Sequence, residues 1–147
     1  MVTSAGHSSE GTEDTAKTMS PRRLACPGEV AERTLIVVGG SQRSAGDPDE
    51  LEFWPESNWH EIVNVLAPGK DITVARHNYD RVWKKDNGTS LSAAITSGIV
   101  AHYLGENDVR ASHPGEVAHT VKDKVGQTAG RVQVTHEGRV FPLLRTL

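Results

Sequence analysis

The sequence predicts an α/β fold with a mostly parallel β-sheet and a buried helix packed against it. Three observations support this class. Thr34–Val38 is a continuous, mainly β-branched run closed by Gly39 and Gly40, the pattern of a strand buried on both faces. Ser90–Leu104 is apolar around most of its circumference, as expected of a buried helix. The 147 residues suffice for one hydrophobic core but not comfortably for two.

Further strands are expected after the first. Glu61–Leu66 is predicted as a strand that stops at Ala67–Gly69, because Pro68 cannot donate to a ladder and Gly69 permits a turn. Asp71–Ala75 is predicted as a short third strand. The segment between the first two, Ser41–Trp59, is rich in acidic residues and serine. We expect it to be a solvated surface excursion rather than a calcium site.

The helix at Ser90–Leu104 follows turn-forming residues and is expected to stop at Gly105. A second, amphipathic helix is predicted at Pro114–Thr128, where valines recur every fourth residue. The C-terminal runs Arg131–Thr135 and Arg139–Phe141 predict a β-hairpin. His7–Ser20 is polar and aperiodic, so we expect an exposed loop there.

Composition excludes several classes of protein. The net charge is −3 and no Lys/Arg cluster is present, so no nucleic-acid partner is expected. No apolar run approaches the roughly 20 residues of a membrane span. Cys26 is the single cysteine, which rules out an internal disulfide and a zinc ribbon; no metal or cofactor is expected. Met1–Ser20 lacks the apolar stretch of a secretory signal, which argues against export of the chain as written. The sequence indicates no particular compartment.

One feature of the sequence carries chemistry. Gly88-Thr89-Ser90 places a hydroxyl at the start of the predicted helix, where unpaired N–H groups and the helix dipole favour negative charge. Ser90 is therefore either an ordinary helix cap or a nucleophile, and local features alone favour the cap.

The wider order of motifs resembles the subtilases, the family of subtilisin-like serine peptidases. Residues Ser4–Gly6 resemble the end of the strand that leads to the family's oxyanion residue, and Leu35–Gly39 resembles its next strand. Ser57-Asn58 and Val63–Gly69 resemble the "S-N … V-D-V-x-A-P-G" stretch. Gly88–Ser92 resembles the "G-T-S-M-A" motif around the nucleophile. The resemblance covers about residues 2 to 125, and its most specific part is the pair of "A-P-G" and "G-T-S" motifs.

The resemblance implies a partial subtilisin-like domain over residues 1–128, followed by a hairpin or tail over 129–147. It makes Ser90 the acyl-forming nucleophile, His7 the oxyanion donor at a position where the family carries Asn, and a peptide or protein the substrate. The family's catalytic Asp and His lie on segments N-terminal to everything in this chain. An N-terminal segment of the same domain is therefore an expected partner.

Two rival interpretations stay open. One is a degenerate, non-catalytic protein that keeps the fold and binds a peptide or a partner; the other is a truncated product without a selected function.

Ala94 and Ile95 also replace a Pro-His pair of the family. Asp80 and Asp86 are weak candidates for a base serving Ser90. The other six histidines are expected to be solvated or to have a packing role.

Overall fold

A computed structural model describes residues 1–7, 21–29, 31–47, 49–75, 82–110, 113, 115–130 and 133–144. The main sheet has four strands, β1 (Val2–Ser4), β2 (Ile36–Arg43), β3 (Leu51–Phe53) and β4 (Val65–Pro68). Strands β1 and β4 flank β2 in parallel, whereas β3 pairs antiparallel with the last residues of β2. The predicted α/β class and the mostly parallel sheet are confirmed.

Strand β2 is buried along most of its length because both of its faces are covered. Leu35 and Val37 point into a cluster with Leu66, Phe53 and Phe141. On the opposite face, the alternate residues of β2 join a second cluster that the helices complete, consisting of Ile36, Val38, Val65, Ala67, Val109, Val121, Val125, Ala129 and Leu144. This two-sided burial explains the continuous apolar run.

Two hairpins lie outside the main sheet. Strands β5 (Ile72–Ala75) and β6 (Trp83–Asp86) pair antiparallel, so the predicted strand at Asp71–Ala75 exists but does not join the parallel sheet. Strands β7 (Gln133–His136) and β8 (Arg139–Pro142) form the predicted C-terminal hairpin. Beyond β8, Leu143 bridges to Leu66 and the N–H of Leu144 donates to the Leu66 carbonyl at 2.8 Å. Leu143 and Leu144 thus lie along β4.

Three helices are described: α1 (Thr89–Leu104), the single turn α2 (Asn107–Arg110) and α3 (Val117–Ala129). Helix α3 packs through Val121, Val125 and Ala129 and begins three residues later than predicted. A 3₁₀ turn spans Arg22–Ala25. No described helix is long and apolar enough to cross a membrane.

Helix α1 corrects one expectation. It is buried on the side that faces the sheet, through Thr89, Ser92 and Thr96. The opposite side is exposed, and 44% of Leu104 is accessible. Small residues let the helix approach the strands closely, while its larger apolar side chains Ile99, Val100 and Tyr103 are partly buried against the core.

The segment Ser41–Trp59 is not the surface excursion that its acidity suggested. Ser41–Arg43 continues β2, because it pairs with β3, and Trp54 is fully buried. The strand predicted at Glu61–Leu66 is also shorter at its start: Glu61–Asn64 forms a turn in which the N–H of Val63 donates to the His60 carbonyl at 2.9 Å.

The structure leaves two predictions untested, the loop near the N-terminus and the domain boundary. Apart from His7, which is exposed, the loop predicted at His7–Ser20 lies outside the described residues. The domain boundary at residue 128 stays a prediction, although Phe141 and Leu143 pack in the same cluster as β2.

Candidate active site

The candidate site lies where the carboxyl ends of β2 and β4 meet the start of α1. Three glycines bring these backbones together. A Cβ on Gly69 would lie 2.5 Å from Ser92 Oγ, 3.3 Å from the Cα of Gly40 and 3.4 Å from the Gly88 carbonyl oxygen. The N–H of Gly88 donates to the Gly69 carbonyl at 2.8 Å, and Ser92 Oγ donates to the Pro68 carbonyl at 3.1 Å. The "A-P-G" and "G-T-S" motifs therefore form one contact.

Ser90 is exposed at the first turn of α1. Gly88 is the N-cap residue, and it supplies no side-chain cap. Ser90 does not act as the cap that local features favoured. Since the first N–H groups of a helix lack intrahelical partners, the position favours a developing negative charge near Ser90.

The side chains of His7 and Ser90 both lie close to Gly88. A Cβ on Gly88 would lie 3.0 Å from Ser90 Oγ and 3.7 Å from His7 Cε1. The two side chains therefore face the same point, and the distance between them cannot exceed the sum of these two values. Gly88 leaves the space between them open, because a Cβ there would crowd Ser90 Oγ and would be in van der Waals contact with His7.

Two contacts hold the exposed His7. Its imidazole packs on Trp54, with ring centroids 5.2 Å apart, and its backbone forms an antiparallel bridge with Ser57. Ser57 Oγ in turn accepts from the N–H of Gly40 at 2.9 Å and donates to the Asn58 carbonyl at 3.1 Å. His7 is thereby tied to β2, and the Ser57-Asn58 motif has a defined structural role.

The turn at Gly6 needs a residue with a positive φ, and Gly6 has φ of 85°. The N–H of Asn58 donates to the Gly6 carbonyl at 2.9 Å. The preceding carbonyl, of Ala5, accepts from the buried guanidinium of Arg22 and from Asn58 Nδ2. Burial lowers the pKa of Arg22 from its ordinary value. These contacts set the path of the chain immediately before His7.

The structure describes one of the two weak candidates for a base, Asp86. Asp80 lies outside the described residues. Asp86 accepts from Lys84 Nζ at 2.6 Å and from the N–H of Asn87 at 3.1 Å, and the Lys84 hydrogen bond leads the causes that lower the Asp86 pKa. Of the other histidines, His60 is buried and His136 stacks on Phe53 with centroids 3.9 Å apart. Within the described ranges, no cluster of side chains could hold a metal ion.

Sequence reasoning missed two residues that support the site. Trp54 lies in the segment predicted to be a surface excursion, although a large aromatic side chain near glycine-rich strand ends indicates burial. Arg22 gave no signal, because it reaches Ala5 from 17 positions along the chain.

The fold and the site together define an α/β protein that presents a serine at the start of a helix, above the carboxyl edge of a parallel sheet. The subtilase family model matches residues 1–141. This chain belongs to the subtilase family.

Curated relatives and a solved structure are consistent with this assignment. The cuticle-degrading serine protease of Arthrobotrys oligospora is 31% identical over 86 residues, which cover 58% of this chain and 20% of that protein. The alkaline serine exoprotease A of Vibrio alginolyticus is 35% identical over 91 residues, 62% of this chain and 16% of that protein. A cold-adapted subtilisin-like serine proteinase superposes on 98% of this chain and 44% of its own, with a TM-score of 0.70 and 26% identity. The chain thus spans less than half of that structure.

Proposed function

We propose that this chain carries the nucleophile side of a subtilisin-like serine endopeptidase, which hydrolyses peptide bonds through an acyl-enzyme on Ser90. The observation that carries the proposal is the placement of Ser90 and His7 around the open space beside Gly88. A substrate carbonyl in that space would meet the hydroxyl on one side and the imidazole on the other. The relatives' names point to the same reaction class.

The chemistry assigns a role to each group. Ser90 Oγ attacks the carbonyl carbon once a base removes its proton. The resulting oxyanion is stabilised by N–H groups at the start of α1 and by an N–H of His7. An imidazole donates through a ring nitrogen, so its reach differs from that of the family's carboxamide. Loss of one oxyanion donor lowers kcat in this family by about 10²–10³-fold, so the geometry of His7 strongly affects the rate.

The base and its orienting carboxylate come from another segment in this proposal, namely the N-terminal part of a subtilisin-like domain. Two observations support such a partner. Strand β1 lies at the edge of the main sheet as described, and a free edge is a template for a further strand. The chain also covers 44% of the similar cold-adapted proteinase.

The test uses the product of the longest reading frame that contains residues 1–147. We expect it to cleave casein and to react with a fluorophosphonate probe. Ser90→Ala should abolish both reactions. Ser97→Ala is the matched control, since Ser97 is an exposed serine on the same helix whose hydroxyl donates to the Ala93 carbonyl at 2.8 Å. Probe labelling that survives Ser90→Ala, or is lost in Ser97→Ala, would contradict the assignment.

The second candidate is a non-catalytic subtilase-fold protein that binds a peptide. His7 in place of the family's Asn favours it. A product that binds casein peptides equally well with Ser90 or Ala at position 90, without labelling or cleavage, would support this candidate against the peptidase.

A further inference from the structure

A cavity of about 540 Å³ lies apart from the space between His7 and Ser90. Its walls are the last residues of β2, Leu51 of β3, the end of β4 with the loop that follows it, strands β5 and β6, and Ile95 of α1. This volume falls within the roughly 300–1,000 Å³ of typical ligand sites.

The cavity walls carry more positive than negative charge. Three cationic side chains line it, Arg43, Lys70 and Lys85, against the carboxylate of Asp71. Lys70 pairs with Glu56 at 3.7 Å, and both side chains are partly exposed; a pair of this kind contributes little and can be exchanged for another carboxylate. In the described part of the chain, no carboxylate is paired with the exposed Lys85.

A buried hydroxyl is the second feature of this cavity. Ser41 lines it and is fully buried, yet its Oγ has no hydrogen-bond partner among the described residues. A buried polar group without a partner is unfavourable and calls for an explanation. Because Ser41 Oγ is fully buried, it places an unsatisfied polar group behind the cavity wall, where it adds to the polar character of this end of β2.

The walls also contain apolar surface, contributed by Leu51, Ile72 and Ile95. Ligands that suit such a cavity combine carboxylates with aliphatic side chains. We propose that this cavity is a binding site for an acidic peptide segment in which glutamate or aspartate alternates with aliphatic residues.

The site is next to the nucleophile segment but does not depend on serine chemistry. The N–H of Asp71 donates to Asn87 Oδ1 at 2.8 Å, and Asn87 directly precedes Gly88. Ser92 Oγ donates to the carbonyl of Pro68, another lining residue, at 3.1 Å. A peptide in the cavity would therefore contact the segments that hold Ser90 in place.

The experiment measures binding of a fluorescein-labelled Leu-Glu-Leu-Glu-Leu-Glu peptide to the 147-residue chain by fluorescence anisotropy. Lys85→Glu should weaken binding at least about tenfold, since it places like charges together. Lys84→Glu is the matched control: Lys84 is the neighbouring residue of β6, does not line the cavity, and pairs with Asp86. We expect Lys84→Glu to change the Kd less than about twofold, because a solvent-exposed charge outside the site acts weakly.

Further measurements separate the alternatives. Ile95→Trp, which fills the cavity, should weaken binding, and circular dichroism checks that each variant is folded. Ser90→Ala should leave the Kd unchanged; a large effect would place the peptide at the serine and overturn the proposal. Equal effects of Lys84→Glu and Lys85→Glu on the Kd would also overturn the proposal. A Leu-Lys-Leu-Lys-Leu-Lys peptide should bind much more weakly. If it binds equally well, or if phosphate or acetate displaces the labelled peptide at the same concentration as the unlabelled peptide does, binding is non-specific and the proposal is wrong.

Discussion

The close contact between Gly40 and Trp54 makes Gly40→Ala a sharp test of the packing beneath the candidate site. A Cβ at Gly40 would lie 2.6 Å from Trp54 Cε3, whereas carbon atoms in contact are about 3.5–4.0 Å apart. The ring would have to move by roughly 1 Å. It has little freedom to do so, because Trp54 is fully buried and its backbone N–H donates to the Gly40 carbonyl at 3.1 Å.

Overpacking of this kind costs about 1–3 kcal/mol. For a chain of this size, each kcal/mol lowers Tm by about 2–4 °C. We therefore expect Gly40→Ala to lower the urea midpoint and to reduce Tm by about 2–12 °C. Urea unfolding followed by tryptophan fluorescence measures the change in the free energy of unfolding.

The control substitution should have the opposite sign. Gly98 lies in α1, and a Cβ there meets no atom within 4 Å. Replacing an exposed helical glycine by alanine stabilises by about 0.8–1.0 kcal/mol. If Gly40→Ala proves as stable as the parent chain while Gly98→Ala is stabilised as expected, the tight packing of Trp54 on β2 is wrong.

Three further predictions concern catalysis, association and pH. The 147-residue chain alone should cleave neither casein nor chromogenic peptides, because the proposed catalytic base lies on another segment. Cleavage that is abolished by Ser90→Ala would show that these residues contain a base, and would contradict this prediction. Ser4→Pro should reduce self-association measured by light scattering. Met1 and Ala5 form hydrogen bonds with β2, so the Ser4 N–H between them points to the edge of the sheet, where a further strand could pair. Thr3 faces β2, so Thr3→Pro should instead destabilise the chain; the reverse pattern would exclude pairing through this edge. Burial lowers the pKa of His136, so the unfolded chain takes up the proton first and stability should fall as the pH drops below about 6.5. The urea midpoint of His136→Gln should fall less between about pH 7.5 and 5, and an equal loss in both proteins would refute this role.

The elements that sequence could predict are those whose signal is local. The apolar run of β2, the proline and glycine after β4, and the helix after Gly88 all carry their signal within a few residues. Strand β6 could not be predicted, because Lys84, Lys85 and Asp86 show no apolar alternation and become a strand only by pairing with β5.

The same distinction applies to the candidate site. Ser90 and His7 were identified through the resemblance of short motifs to a family. The groups that hold His7 come from distant positions: Trp54 packs on its ring and Arg22 binds the Ala5 carbonyl. Such long-range contacts depend on the folded chain and leave no pattern in the neighbouring sequence.

The position of Leu143 and Leu144 along β4 has a practical consequence for protein engineering. The two residues occupy part of the outer edge of that strand, so a fusion partner joined directly after Leu144 would emerge beside β4. Met1 leads directly into β1 on the other side. An affinity tag at the N-terminus would therefore sit beside the edge of β1 and compete with any strand that adds there, whereas a tag joined directly after Leu144 would leave that edge accessible.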